Sequence, residues 1–176
     1  MATATTWVID PTHSEVQFKV KHLVISTVTG AFKTFEGSVV TETEDFEGAT
    51  IDFSADVDSI DTNQAQRDEH LKSGDFFDSA KHPKLTIKGT LVKKGDDSYS
   101  LKGDLTVKNV TKPIDFAVEY GGNMTDFYGN NKSGFEISGK INRKEFGLEW
   151  SAVTEAGGVV VGDEVKLIAN IQVVKQ

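Results

Sequence analysis

Residues 51–58 read Ile-Asp-Phe-Ser-Ala-Asp-Val-Asp, and the fold turns on how that stretch is read. Ile51, Phe53, Ala55 and Val57 alternate with Asp52, Ser54, Asp56 and Asp58. A period of two puts the apolar set on one face of a strand and the polar set on the other. Such a strand covers a core on one side and meets water on the other, as in an antiparallel sheet.

The same pattern extends in both directions. Upstream, Val16, Phe18 and Val20 alternate with Gln17, Lys19 and Lys21, and a short strand at Trp7–Ile9 ends at Asp10-Pro11. His22 to Ile25 breaks the alternation and reads as a helical turn or bend. A long strand is expected from Gly30 to about Thr43, with Phe35 and Val39 on one face and Phe32 and Val40 on the other. Gly37 inside it suggests a bulge at a barrel corner. Downstream, Leu85, Ile87, Gly89 and Leu91 run to a charged turn, and Tyr99, Leu101, Gly103, Leu105 and Val107 return from it. Ile114, Phe116, Val118 and Tyr120 form a further strand, as do Phe135, Ile137, Gly139 and Ile141. Gly121–Ser133 reads as a long loop with Phe127 and Tyr128 near its tip, and Asn142–Trp150 as a mixed turn. Gly157-Gly158 punctuates the approach to a last strand carrying Val165, Leu167, Ala169, Ile171 and Val173.

One stretch departs from this rhythm: Asn63–Asp78, NQAQRDEHLKSGDFFD. Asp61, Thr62 and Asn63 supply N-cap chemistry and Gly74 a stop signal, predicting a short helix over about residues 63–73. Leu71 is its one strongly apolar side chain, so the helix lies over something rather than building a core. About eight long strands, hairpin-length connections and no βαβ spacing give an all-β chain, a closed or nearly closed eight-stranded antiparallel barrel with that helix near one end. An immunoglobulin-like sandwich fits less well, because its strands are shorter.

At 176 residues the chain is read as one domain, 1–176, with 38% hydrophobic residues and 11 Phe to fill a core. A net charge of -8 and no Lys/Arg cluster argue against nucleic acid as a partner. The absence of cysteine removes disulfides, thiolate metal sites and cysteine nucleophiles. No stretch has the apolar length of a transmembrane helix, and MATATTWVID lacks the apolar core of a signal peptide. The expected location is therefore cytoplasmic, with the periplasm left open should a leader have been removed.

His13, His22, His70 and His82 show no metal-ligand spacing, so no metal or other cofactor is expected. Asp10 to Ser14, DPTHS, places His beside Ser, but without G-x-S-x-G it reads as a side-chain-bonded turn. GGVVVG at 157–162 lacks the Lys of a phosphate loop. Asp68, Glu69, Asp75 and Asp78 read as a solvated acidic face. Ala55, Gly89, Gly103, Gly139 and Ala169 put small residues at inward positions, which either leave an elongated apolar void or mark barrel corners.

The ordered motifs resemble the YceI-like family of lipid- and polyisoprenoid-binding proteins. They are WVIDPTHS (7–14), FKVKHL (18–23), GAF (30–32), SIDT (59–62), RDEHL (67–71), DFFD (75–78) and His82-Pro83. GDLTV (103–107), TKP (111–113), Arg143 and FGL (146–148) complete the set. The resemblance implies a lipocalin-like barrel holding an isoprenoid, a quinone precursor of that type or a fatty-acid derivative. It also implies storage or transport rather than catalysis, and it allows a homodimer. An enzyme acting on such lipids and a stress-related interaction module with the barrel as scaffold are the alternatives.

On that reading the lumen is expected to be lined by Phe18, Val20, Phe35, Phe53 and Leu105, together with Phe116, Val118, Phe135, Ile137 and Leu167. Each buried methylene contributes about 0.8 kcal/mol, so a long tail needs few polar contacts. Arg67, His70 or Arg143 could meet a polar head group, although an ion pair with a neighbouring carboxylate accounts for Arg67 as well. Phe76 and Phe77 are expected to anchor the helix into the interior, making it a lid.

Overall fold

The computed structural model describes residues 4–22, 26–42, 45–73, 77–146 and 161–176. Its strands are β1 (Thr5–Ile9), β2 (Glu15–His22), β3 (Ser26–Phe32), β4 (Phe35–Thr41), β5 (Thr50–Asp56) and β6 (Ile60–Asp61). After helix α1 (Ala65–Lys72) come β7 (Lys84–Lys93), β8 (Ser98–Val107), β9 (Val110–Thr125), β10 (Asn131–Asn142) and β11 (Val161–Lys175). Every pairing is antiparallel, and β11 pairs β1 as well as β2 and β10, which closes the sheet. The result is a closed eight-stranded barrel in which β1–β2, β3–β4 and β5–β6 are three long strands, each broken once.

The three breaks have local causes. Between β1 and β2, Pro11–His13 make a single 3-10 turn capped by the Asp10 carboxylate, which accepts from the Thr12 N–H at 3.0 Å. This is the side-chain-bonded turn expected from DPTHS. Buried Ser14 then bonds β11, its Oγ accepting from the Gln172 N–H at 2.9 Å. The other two breaks hold each other: Lys33 N donates to Ser59 O at 3.1 Å and Asp56 N to Thr34 O at 2.9 Å.

The break at Lys33-Thr34 overturns the expected single strand from Gly30. It resets the alternation, so Phe32, Phe35 and Val39 are all buried and belong to the core. Gly37 is no bulge, since β4 pairs β5 in unbroken register. There the strand simply passes close to its neighbours: a Cβ on Gly37 would fall 2.7 Å from Ile9 Cδ1.

The stretch read as a loop at 121–133 is largely a β-hairpin, with a turn only between Thr125 and Asn131. A register shift at Gly134/Phe135 and side-chain bonds between Asn123, Asn131 and Ser133 hold it. Asparagine reads as a turn residue, but here its amides bond across the ladder. Phe127 and Tyr128 project from the tip, fully exposed. The expectations for His22–Ile25, for Gly74 and for Gly157-Gly158 fall wholly or mostly outside the described residues.

Candidate binding cavity

The inward residues of the strands do not fill the barrel. They surround a cavity of about 210 Å³, against the roughly 10–15 Å³ that one water needs. Cross-strand register explains the lining. Phe53 pairs Ile87, which pairs Leu105, and Val165 pairs Val20, so apolar inner faces meet across these ladders. Gln17, Ser38 and Asp52 also border the cavity, but they alternate with inward neighbours and belong to the outer face.

Of the residues singled out in the sequence, Phe18, Val20, Phe53, Leu105 and Phe116 line this cavity. So do Val118, Phe135, Ile137, Leu167, Phe77 and Arg143. Phe35 is buried but does not line it; its ring packs against Phe53, with centroids 6.2 Å apart. Phe76 lies outside the described residues.

Arg67 and His70 do not line the cavity. The Arg67 guanidinium donates from Nε to Thr62 Oγ1 at 2.7 Å and from Nη2 to Thr62 O at 2.5 Å. Thr62 in turn donates through N and Oγ1 to Asp68 Oδ1, at 2.9 and 2.5 Å. A hydroxyl thus stands between Arg67 and the carboxylate, where a direct ion pair was expected. This relay also replaces the expected cap: Gln64 occupies the N-cap position without a side-chain bond. Tied to buried Thr62 at the end of β6, the helix presents Leu71 to the cavity. Phe77 follows, its N–H bonded to Leu71 O at 3.0 Å and its ring edge-on to Phe32 at 6.1 Å.

Sequence reasoning missed two groups. Ile9, Ile51, Leu85, Leu91 and Val173 also line the cavity, and their place in the alternation could have named them. Phe46 gave less warning, being one aromatic in an acidic connection. It folds under the barrel and packs against Phe135 at 4.8 Å, Trp7 at 5.4 Å and Tyr120 at 5.8 Å. These rings close one end.

The other end carries the one charged side chain placed inward among the described residues. Arg143 follows β10 in a 3-10 turn (Arg143–Phe146), is 2% exposed and borders the cavity. Its Nη2 lies 3.8 Å from Asp163 Oδ1. Burial pulls the guanidinium below its ordinary range and Asp163 partly restores it, so it remains a cation.

The small inward residues divide. Ala169 lines the cavity. Gly89 and Gly103 oppose each other across β7 and β8, where a Cβ on Gly103 would fall 2.2 Å from Lys88 O. They permit close strand approach and border nothing. Neither His13 nor His82 lines the cavity, and His13 is bonded outside to Asp10 at 2.8 Å. Among the described residues no group of His, Cys, Asp and Glu could hold a metal, and no helix is long and apolar enough to cross a membrane.

Residues 7–173 match the YceI-like domain. The chain belongs to the YceI-like family. Protein YceI of Escherichia coli O157:H7 is 36% identical over 164 residues, covering 93% of this chain and 83% of that protein. The crystal structure of the Campylobacter jejuni YCEI protein is 29% identical, covers 89% of this chain and 90% of that one, and superposes with a TM-score of 0.76. A polyisoprenoid binding domain from Saccharophagus degradans shares the YceI-like fold at a TM-score of 0.73 and 14% identity, with 97% and 98% of the two chains covered. The motif resemblance and the closed barrel therefore agree on the family.

Proposed function

We propose that this protein binds a long-chain lipid, of polyisoprenoid or acyl type, in the barrel lumen and carries or stores it unchanged. The observation that carries this reading is the closed barrel around an apolar cavity. Membership of the YceI-like family and the fold shared with a polyisoprenoid binding domain support it. A hydrocarbon chain in such a chamber leaves water at about 0.8 kcal/mol per methylene, enough for firm binding without directional contacts.

On this reading the polar end of the ligand meets Arg143, which borders the cavity and whose guanidinium can donate to an oxygen acceptor such as a carbonyl, carboxylate or phosphate. Catalysis on the lipid is not part of the proposal. General acid–base chemistry needs a titratable group within reach of the substrate, and the inward charged group among the described residues is an arginine. Native mass spectrometry and organic extraction of purified protein should recover a long-chain apolar molecule. Failure of the delipidated protein to take up any long-chain lipid would overturn the reading.

A further inference from the structure

One circumferential row of the barrel differs from the rest. Leu91 pairs Leu101, Leu101 pairs Phe116, Gly139 pairs Leu167, Leu167 pairs Phe18 and Phe18 pairs Gly30. The row thus contains two phenylalanines, each beside a glycine on the neighbouring strand. Both rings recline on those glycines. A Cβ at position 139 would fall 2.1 Å from Phe116 Cδ1 and 2.7 Å from its Cγ. At position 30 it would fall 2.3 Å from Phe18 Cζ and 2.8 Å from Thr62 Cγ2. A side chain at either position therefore forces the ring to move, since carbon atoms settle at about 3.5–4.0 Å.

We infer that Gly30 and Gly139 set the bore of the lumen, by seating Phe18 and Phe116 flat against the wall, and so set the length of chain it accepts. The inference rests on the lumen reading above and adds a determinant of ligand size to it. With a methyl at position 139, the Phe116 ring must withdraw by roughly 1.5 Å to regain an ordinary contact, and the side of it that borders the cavity is the inner one. The obstruction falls at mid-lumen, because the row lies between the cavity-lining rows that contain Val20 and Val16. A chain that formerly ran the whole lumen then has only one part of it. Position 139 weighs more than position 30. At 139 the clash reaches Cγ, so the whole Phe116 side chain must turn, whereas at 30 the nearest atom is the far tip of the Phe18 ring.

The test uses delipidated full-length protein and linear all-trans isoprenols of increasing length, from three isoprene units upward, with bound complexes counted by native mass spectrometry. Gly139→Ala should lose the longest isoprenols by at least about tenfold while keeping the shortest. Gly30→Ala should show the same trend more weakly. Gly139→Ala combined with Phe116→Leu should recover the long isoprenols, which a merely destabilised barrel would not do. Phe116→Leu alone introduces no clash and should favour the long members over the short; it decides the matter if Gly139→Ala does not fold. An unchanged length profile in folded Gly139→Ala, or in Phe116→Leu, overturns the collar while leaving the lumen reading in place. Wild-type protein that binds no isoprenol or other long-chain lipid overturns both.

Discussion

The two ends of the barrel are closed by different means. At one, Trp7, Tyr120 and Phe135 are inward residues of strands, and a single loop residue, Phe46, completes the aromatic stack. At the other, the closing groups come from segments inserted between strands: Leu71 from α1, Phe77 after it and Arg143 after β10. The first end is filled by packed rings, and the loop that carries Phe46 is pinned by Thr41 Oγ1 donating to Asp45 O at 2.8 Å and by the Lys93–Asp45 ion pair at 3.1 Å. The second is held by hydrogen bonds through Thr62 and carries a buried cation. A lipid bound between them would point its tail at the rings and its polar end at Arg143.

Removing Phe46 tests the plugged end most severely. Phe46→Ala should cost about 3–5 kcal/mol in denaturant unfolding, the range for a large aromatic deleted from a core. A loss no larger than that of an exposed ring such as Phe127 would show that the stack does not close the barrel. At the opposite end, Asp68→Ala leaves the buried Thr62 N–H and hydroxyl without their acceptor. That should cost about 1–3 kcal/mol. Hydrogen exchange should rise first in α1, with the barrel strands still protected. Uniform loss of protection would erase the distinction between the ends.

Arg143→Met keeps length and apolar packing but removes the cation. It should weaken a lipid with an oxygenated end about tenfold, near 1.4 kcal/mol, and leave a plain hydrocarbon of equal length unaffected. Equal loss for both ligands would mean that Arg143 acts only through packing.

The smallest effect is expected at Asp10, on the outer wall. Its carboxylate accepts from Thr12 and His13 and lies 3.5 Å from Lys132 Nζ. The hydrogen bonds from Thr12, then from His13, hold its pKa well below the usual carboxylate range. Because the folded value is depressed, this contribution is whole above the unfolded value near 3.9 and fades as pH falls below it. Asp10→Ala should therefore cost about 1 kcal/mol at neutral pH, as for a lost cap, and the gap to wild type should shrink below pH 4. A gap that is constant down to pH 2 would remove the carboxylate from the account.

Some of this was legible in advance because it is local. Alternation at 16–20, 51–55 and 114–120 specifies which residues share a face, and each of those faces is the inner one. The helix expected at 63–73 is found at Ala65–Lys72 for an equally local reason: a polar stretch with good helix formers has no alternation to resist it. The fate of Phe35 was not legible. Two residues of irregular backbone at 33–34 change the phase of everything before them, and those residues are held by Ser59 and Asp56 from another strand. The Asn-rich hairpin at 121–133 was misread because turn propensity and cross-strand amide bonding use the same residue type.

The sequence by itself determined the number of long strands, the apolar face of each strand whose alternation is unbroken and the helix at Ala65–Lys72, since periodicity depends only on neighbours along the chain. Only the tertiary structure decided that the barrel encloses space, that Phe46 stops one end and that Arg67 turns away to Thr62 while Arg143 turns in. Each of those outcomes depends on which distant residue stands opposite, and register across a closed sheet is a property of all eight strands together. Phe116 and Gly139 show the point: they lie far apart on the chain, yet one could not recline without the other.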